Sequence, residues 1–256
     1  MIDALRLEWA RIRTLRSTYW LIVLAVASNA VVAFGVAVAS RDDARTAELV
    51  GAVVTGGGPY APLPFAAVFL AVIGIFATGH EYRYGTIQPM LTALPRRSAL
   101  LVAKIVVLVA TAVAVTALSL LVDAAAALLV WGEVPGLTAG PLSAALPGYV
   151  VLVVLWTVLG AALAQLFRGV PSALVVILVV PLVVEQLIVA LSFVTGLEWL
   201  TPAVKFLPFT AGQHLVYLGG ELEIARLDRW LSGGVFAVFV ALVLTAAWAL
   251  FTRRDA

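Results

Sequence analysis

Long apolar runs alternate along this chain with short polar interruptions, and the run length is the first clue. Six stretches are apolar over about the 20 residues that a helix needs to cross a bilayer. They are Tyr19–Ala39, Pro62–Thr78, Leu100–Val130, Leu146–Phe167, Pro171–Gly196 and Leu231–Phe251. They are too long and too continuously apolar for the strands of a transmembrane barrel, which run to about ten alternating residues. In lipid the backbone must satisfy its own polar groups, so the runs predict helices. Before them, Ile2, Leu5, Trp9, Ile12 and Leu15 recur every three or four positions, with Arg6, Glu8, Arg13 and Arg16 on other faces. That spacing predicts an amphipathic helix lying in the headgroup plane, its apolar face down, or else a plain juxtamembrane anchor. The fold class is therefore all-α: one polytopic membrane domain over residues 1–256, with six transmembrane helices and an interfacial N-terminal helix.

The interruptions differ in kind. The loop Ser40 to Tyr60 carries a Gly56-Gly57-Gly58-Pro59 breaker. Leu200 to Leu218 is semi-apolar and punctuated by Pro202, Pro208 and Gly212. It reads either as a segment dipping into the outer leaflet or as an amphipathic surface helix, with Thr210 as a candidate helix cap. The longest polar island is His80 to Lys104. There Gly85 breaks the exit of the second span, Thr86 is a candidate N-cap, and a short helix Ile87–Ala93 follows, with Pro89 in its first turn and Pro95 ending it. Ile87, Met90, Leu91 and Leu94 would form an apolar knob ringed by Glu81, Arg83, Arg96 and Arg97. Lys104 would snorkel back to the headgroups. The island is either a loop obeying charge bias or a docking knob for a cytoplasmic subunit.

Composition supports the membrane assignment. Hydrophobic residues make up 63% of the chain and charged ones 12%, against roughly half and a quarter in soluble domains. Charge then orients the spans. Arg6, Arg11, Arg13, Arg16, Arg83, Arg96, Arg97, Lys104, Arg168, Arg253 and Arg254 fall on one side; Arg41, Arg45, Lys205, Arg226 and Arg229 fall on the other, among eight acids. The positive-inside rule places both termini and the island in the cytoplasm, as an even number of spans requires. Trp9 and Trp20 at one border and Trp131, Trp199 and Trp230 at the other form the expected aromatic belts. Ala37-Val38-Ala39 imitates a signal-peptidase site, but the preceding run is too long for a signal segment, so the first span is expected to stay uncleaved.

Candidate chemistry is sparse. There is no cysteine, which removes disulfides, zinc–thiolate sites, iron–sulfur clusters and thiol catalysis. His80 and His214 are the only histidines and lie on opposite sides, so no shared metal is expected. No HExxH, GxSxG or Walker A pattern occurs, and the basic residues form no aromatic-interleaved stripe for nucleic acid. Two acids fall inside spans: Glu185, near Pro181 and beside Gln186, and Asp123. Each must face protein or water. They either line a translocation path or relay protons, or they join helices through hydrogen bonds.

Glu81, Gly85-Thr86, Leu91, Pro95, Arg97 and Lys104 resemble the E…GT…L…P.SR…K pattern of ABC-2-type transporter permeases, although here the Arg precedes Ser98. The N-terminal segment with Glu8, Arg11 and Tyr19-Trp20 is similar to that family's interfacial elbow helix, and Lys205-Phe206-Leu207-Pro208-Phe209 to its outer LP segment. The resemblance implies a permease subunit, not itself an enzyme, in the bacterial cytoplasmic membrane. It implies a second permease copy or homologue as partner, and a separate ATP-binding subunit that hydrolyses ATP and docks on the elbow and the island, so that the chain itself holds no cofactor. Coupling residues would be Glu81, Gly85, Thr86, Arg96 and Arg97; Glu185 and Asp123 would belong to the path. Export of an unspecified substrate is the direction implied. Two other classes are open: a proton-coupled secondary transporter using Glu185 and Asp123, and a non-transporting immunity or scaffold protein. The absence of a clear internal repeat disfavours the first.

Overall fold

The computed structural model describes residues 2–57, 64–93, 97–133, 136–137, 140–218 and 227–253. Among them there are helices and no strand. The elements are α1 (Ile2–Thr14), α2 (Arg16–Ala39), α3 (Ala47–Val54), α4 (Phe65–Arg83), α5 (Ile87–Ala93), α6 (Arg97–Trp131), α7 (Leu142–Phe167) and α8 (Val170–Val179). A π-helical turn (Val180–Glu185), α9 (Gln186–Leu191), a 3-10 turn (Glu198–Leu200), α10 (Thr201–Val204), α11 (Pro208–Gln213) and α12 (Arg229–Arg253) complete them. Six helical stretches are long and apolar enough to span a membrane: Arg16–Ala39, Phe65–Arg83, Ser98–Trp131, Leu142–Phe167, Val170–Leu191 and Arg229–Thr252. They correspond one to one to the six runs read from the sequence.

The bundle is organised around α4 and α7, the most extensively buried spans. Small residues let their backbones meet. A Cβ on Gly74 would lie 2.3 Å from the Thr157 carbonyl oxygen, and one on Gly160 2.3 Å from that of Ala71. In lipid, where apolar side chains gain nothing by leaving solvent, this close van der Waals contact is what holds helices together. Leu70, Ile73, Leu152, Trp156 and Leu159 fill the space around the contact and are fully buried or nearly so. By contrast α2, α8, α9 and α12 turn large apolar side chains outward, among them Val31, Phe34, Leu187, Val238 and Leu242. That is the pattern of lipid-facing helices.

Several details depart from the sequence reading. The second span runs on to Arg83, so His80–Arg83 form the last turn of α4 and not loop. The face of α1 that packs on the protein is Ala4, Glu8 and Ile12, while Ile2 and Trp9 are exposed. Glu8 therefore sits on the buried face, where hydrophobic periodicity had put it on a polar one. The loop after α2 contains the helix α3, whose Val50, Ala52, Val53 and Val54 are buried against α2, α6 and α7. The fifth span is interrupted: α8 gives way to a π-helical turn with Pro181 at its second position. Proline has no N–H for the regular ladder, and wide turns of this kind absorb such a defect. Pro62, Gly58-Pro59, Leu94, Pro95 and Arg96 lie outside the described residues, as do the side chains of Leu91 and Arg97.

Candidate functional site

Two junctions carry most of the buried charge, one at the end of α4 and one at the π-helical turn inside the fifth span. The first joins α1, α4, α5 and α6. Glu81, in the last turn of α4, accepts hydrogen bonds at one carboxylate oxygen from both Arg11 of α1 and Lys104 of α6. Lys104 also donates to the Ala77 carbonyl at 3.1 Å. Glu8, one turn before Arg11, stands 3.8 Å from Arg11 and 3.9 Å from Lys104. The side chains of Glu81 and Glu8 are 2% exposed and that of Lys104 3%. Two carboxylates thus face two cations in a neutral quartet, which is the condition for burying charge without a prohibitive desolvation cost. Burial raises the Glu8 carboxyl above the usual range; Lys104 opposes that shift, Glu81 adds to it and Arg11 opposes it. The Arg11 guanidinium also contacts the Met90 sulfur at 3.8 Å, tying in the short helix α5.

The backbone explains the spacing between Glu81 and Gly85-Thr86. Gly85 has φ of 64°, a left-handed conformation that costs a residue with a Cβ roughly 1–2 kcal/mol. Its N–H bonds the Tyr82 carbonyl at 3.4 Å and the Thr86 N–H bonds the Glu81 carbonyl at 3.0 Å. These two bonds are the 5→2 and 6→1 pair of a Schellman motif, which closes the end of α4. Glu81 therefore has two tasks: its carbonyl ends the helix and its carboxylate holds the quartet. The Met90 N–H then bonds the Thr86 carbonyl at 3.3 Å, so α5 starts directly after the stop. Gly85 and Thr86 are exposed, whereas Ile87 is buried and Met90 half-buried. The expected apolar knob is thus turned partly inward, and the exposed surface is the polar rim Arg83–Thr86 with Gln88 and Pro89. Lys104 does not snorkel: it is buried and donates to Glu81 and to the Ala77 carbonyl.

The second junction joins the fifth span to α11. Leu207 is the extended N-cap residue of α11 and Pro208 its first helical position. Leucine has no side-chain acceptor, so the exposed N–H groups of the first turn need one from elsewhere. Glu185 supplies it: its carboxylate accepts from the Phe209 N–H at 2.9 Å, the Thr210 N–H at 2.6 Å and the Thr210 hydroxyl at 2.7 Å. Helix N-termini favour negative charge, so one group satisfies donors and dipole together. Phe209 packs edge-on against Trp156 at 5.1 Å and beside Phe236 and Phe239. Trp156 lies 14 residues into α7, about 21 Å along the helix axis from its Leu142 end. Of the two readings of the 200–218 segment, the dipping one matches this depth. Thr210 is a donor in the first turn, not the cap.

Asp123 lies elsewhere, on α6. It is fully buried, and Asn29 of α2 and Tyr149 of α7 face it. Asn29 donates to the Tyr149 hydroxyl at 2.9 Å. Of the residues singled out from the sequence, Glu81, Gly85 and Thr86 come together; Glu185 and Asp123 occupy separate places, and Arg96 and the Arg97 side chain are outside the described residues. Pattern reading missed Arg11 and Lys104 as direct partners of Glu81, and Glu8 as the second acid beside the same two cations. The Glu8–Arg11 spacing of one helical turn was the available signal. It also missed Asn29, whose position inside an apolar run was signal enough.

Fold and junctions together define a multi-pass helical membrane protein with a buried charge joint linking an interfacial helix to two of its spans. Residues 4–195 match the family model described as ABC-2 family transporter protein, and the chain belongs to this family. No curated protein matches the sequence.

Proposed function

We propose that the chain is the permease subunit of an ABC transporter that exports its substrate from the bacterial cytoplasm with a second permease copy or homologue, powered by a separate ATP-hydrolysing subunit. That subunit docks on α1 and on the exposed rim Arg83–Thr86 at the cytoplasmic side, where the inward-positive charge bias puts both termini. The observation that carries this reading is the Glu8–Arg11–Glu81–Lys104 quartet. It makes α1, the end of α4 and the start of α6 one mechanical unit, with α5 attached through Met90. A push on α1 or α5 is therefore delivered to two spans. Glu81, Gly85 and Thr86 act in this coupling, together with Arg96 and Arg97. Glu185 serves as the fixed clamp of α11, and Asp123 lies among the spans that rearrange.

The test is co-purification from the native membrane under gentle detergent, with wild type and Arg11→Ala compared. A stoichiometric partner carrying a Walker A motif is expected, with ATPase activity that responds to the permease. In the variant the partner's ATPase is expected to lose that response. Absence of such a partner sinks the reading; an unaltered response in Arg11→Ala sinks the role of the quartet.

A further inference from the structure

Asp123 is the one fully buried carboxylate among the described residues that neither junction uses. Asn29 of α2 approaches it, yet both its oxygens lack a hydrogen-bond partner within 3.5 Å. So do the side-chain oxygens of Asn29, which faces it from α2, and of Ser119, one turn earlier on α6. All three residues are inaccessible to solvent. The Gly56 backbone lies against Asn29: a Cβ there would come within 2.8 Å of the Asn29 Cα. Asp123 is eight residues from Trp131, about 12 Å along the helix from that end, and so within the bilayer. The titratable or charged groups on the elements packed here are few. Tyr149 faces Asp123 from α7; α2 carries only Arg16 and Tyr19, at its opposite end, α3 only Glu48, in its first turn, and α6 itself only Arg97 and Lys104, also at its opposite end.

A carboxylate in such a place without a protein cation needs a positive charge from outside the protein. The oxygens around it are acceptors still short of a partner. We propose that Asp123, Asn29 and Ser119 form a binding site for a single small monovalent cation, a proton or an alkali-metal ion, between α2, α6 and α7. When occupied, the site is neutral and α2 stays packed on α6. When empty, the bare carboxylate draws water in and loosens that contact. The tightness of the α2–α6 packing therefore follows cation occupancy. This inference does not rest on the proposed ATPase partner.

The experiment uses the full chain in lipid nanodiscs. Thermal unfolding is followed against pH in choline chloride, and then against NaCl at constant ionic strength. The infrared carbonyl band of a neutral carboxylic acid is recorded in parallel. Wild type is expected to be stabilised by acid or by sodium, and Asp123→Asn, which carries no charge, to have lost that response. An acid band present in wild type and missing in Asp123→Asn identifies the proton; a sodium response lost in the variant identifies the metal ion. Should Asp123→Asn fail to fold, Asn29→Leu removes one ligand and is expected to shift the cation midpoint by about tenfold, the scale seen when a supporting group of an ion site is lost. No acid or sodium response in wild type, or an equal response in both variants, overturns the proposal.

Discussion

Glu81 and Glu185 are both buried at a meeting of helices, yet they are neutralised by different means. Glu81 faces two side-chain cations, Arg11 and Lys104, on two other helices, with a second carboxylate, Glu8, within 4 Å of the same cations. Glu185 faces two backbone N–H groups and a hydroxyl of one helical turn. Side-chain cations on long stems can exchange partners between Glu8 and Glu81 while staying neutralised. Backbone N–H groups are fixed by the helix that carries them, so Glu185 has one geometry or none. On the proposed reading the first junction transmits a displacement, and the second holds the short helix α11 in place.

The sharpest way to break this contrast is to remove each acid. Glu81→Ala takes from buried Lys104 its closest partner and leaves it only Glu8, 3.9 Å away, and the Ala77 carbonyl; breaking a buried pair costs about 3–5 kcal/mol. It is expected to lower the unfolding midpoint in nanodiscs by the largest amount. The double change Glu81→Leu with Lys104→Met should restore most of that stability, since buried ion pairs contribute little beyond an apolar filling, but not the coupling to ATP hydrolysis. Restored coupling would refute the transmitting role. Glu185→Ala comes next: it orphans three donors, at about 1–3 kcal/mol each in part offset by water. Hydrogen exchange should rise across Pro208–Gln213 while α1 is unaffected; equal protection in both states would remove the clamp.

Gly85→Ala is a smaller change, about 1–2 kcal/mol for an alanine in the left-handed region. It should loosen the start of α5 and slow coupling without releasing α11. Exchange at Thr86 and Met90 is the readout. The smallest effect is that of pH on α1. Burial raises the Glu8 carboxyl, so docked α1 holds a proton more readily than undocked α1. Docking therefore strengthens as pH falls from the raised value towards the ordinary carboxylate range, levels off below it, and weakens as pH rises. Amide exchange in α1 against pH measures this, and Glu8→Gln should flatten the profile. A profile of opposite slope would show that the two cations, not burial, govern Glu8.

The six spans were legible in the sequence because spanning lipid requires only length and apolarity, both local properties. The short helix Ile87–Ala93 was equally legible, since Gly85, Pro89 and a run of helix formers act within a few residues. The orientation of α1 was not. Its apolar periodicity turned Ile2 and Trp9 down into the headgroup plane but did not say which face meets the protein, because in lipid an apolar face has no reason to prefer protein to acyl chains.

What the sequence by itself determined is the class: an all-helical multi-pass protein, the positions of its spans, and an E…GT stop whose backbone logic is contained in the six adjacent residues from Glu81 to Thr86. Only the tertiary structure decided the partners. Glu81 meets Arg11 across 70 residues and Lys104 across 23, and Glu185 meets the α11 turn across 24 and 25. In a membrane the hydrophobic effect ranks helices as in or out of lipid but does not choose which pack together. Close contact of small residues and the need of each buried polar group for a partner make that choice, and both depend on helices distant in the chain.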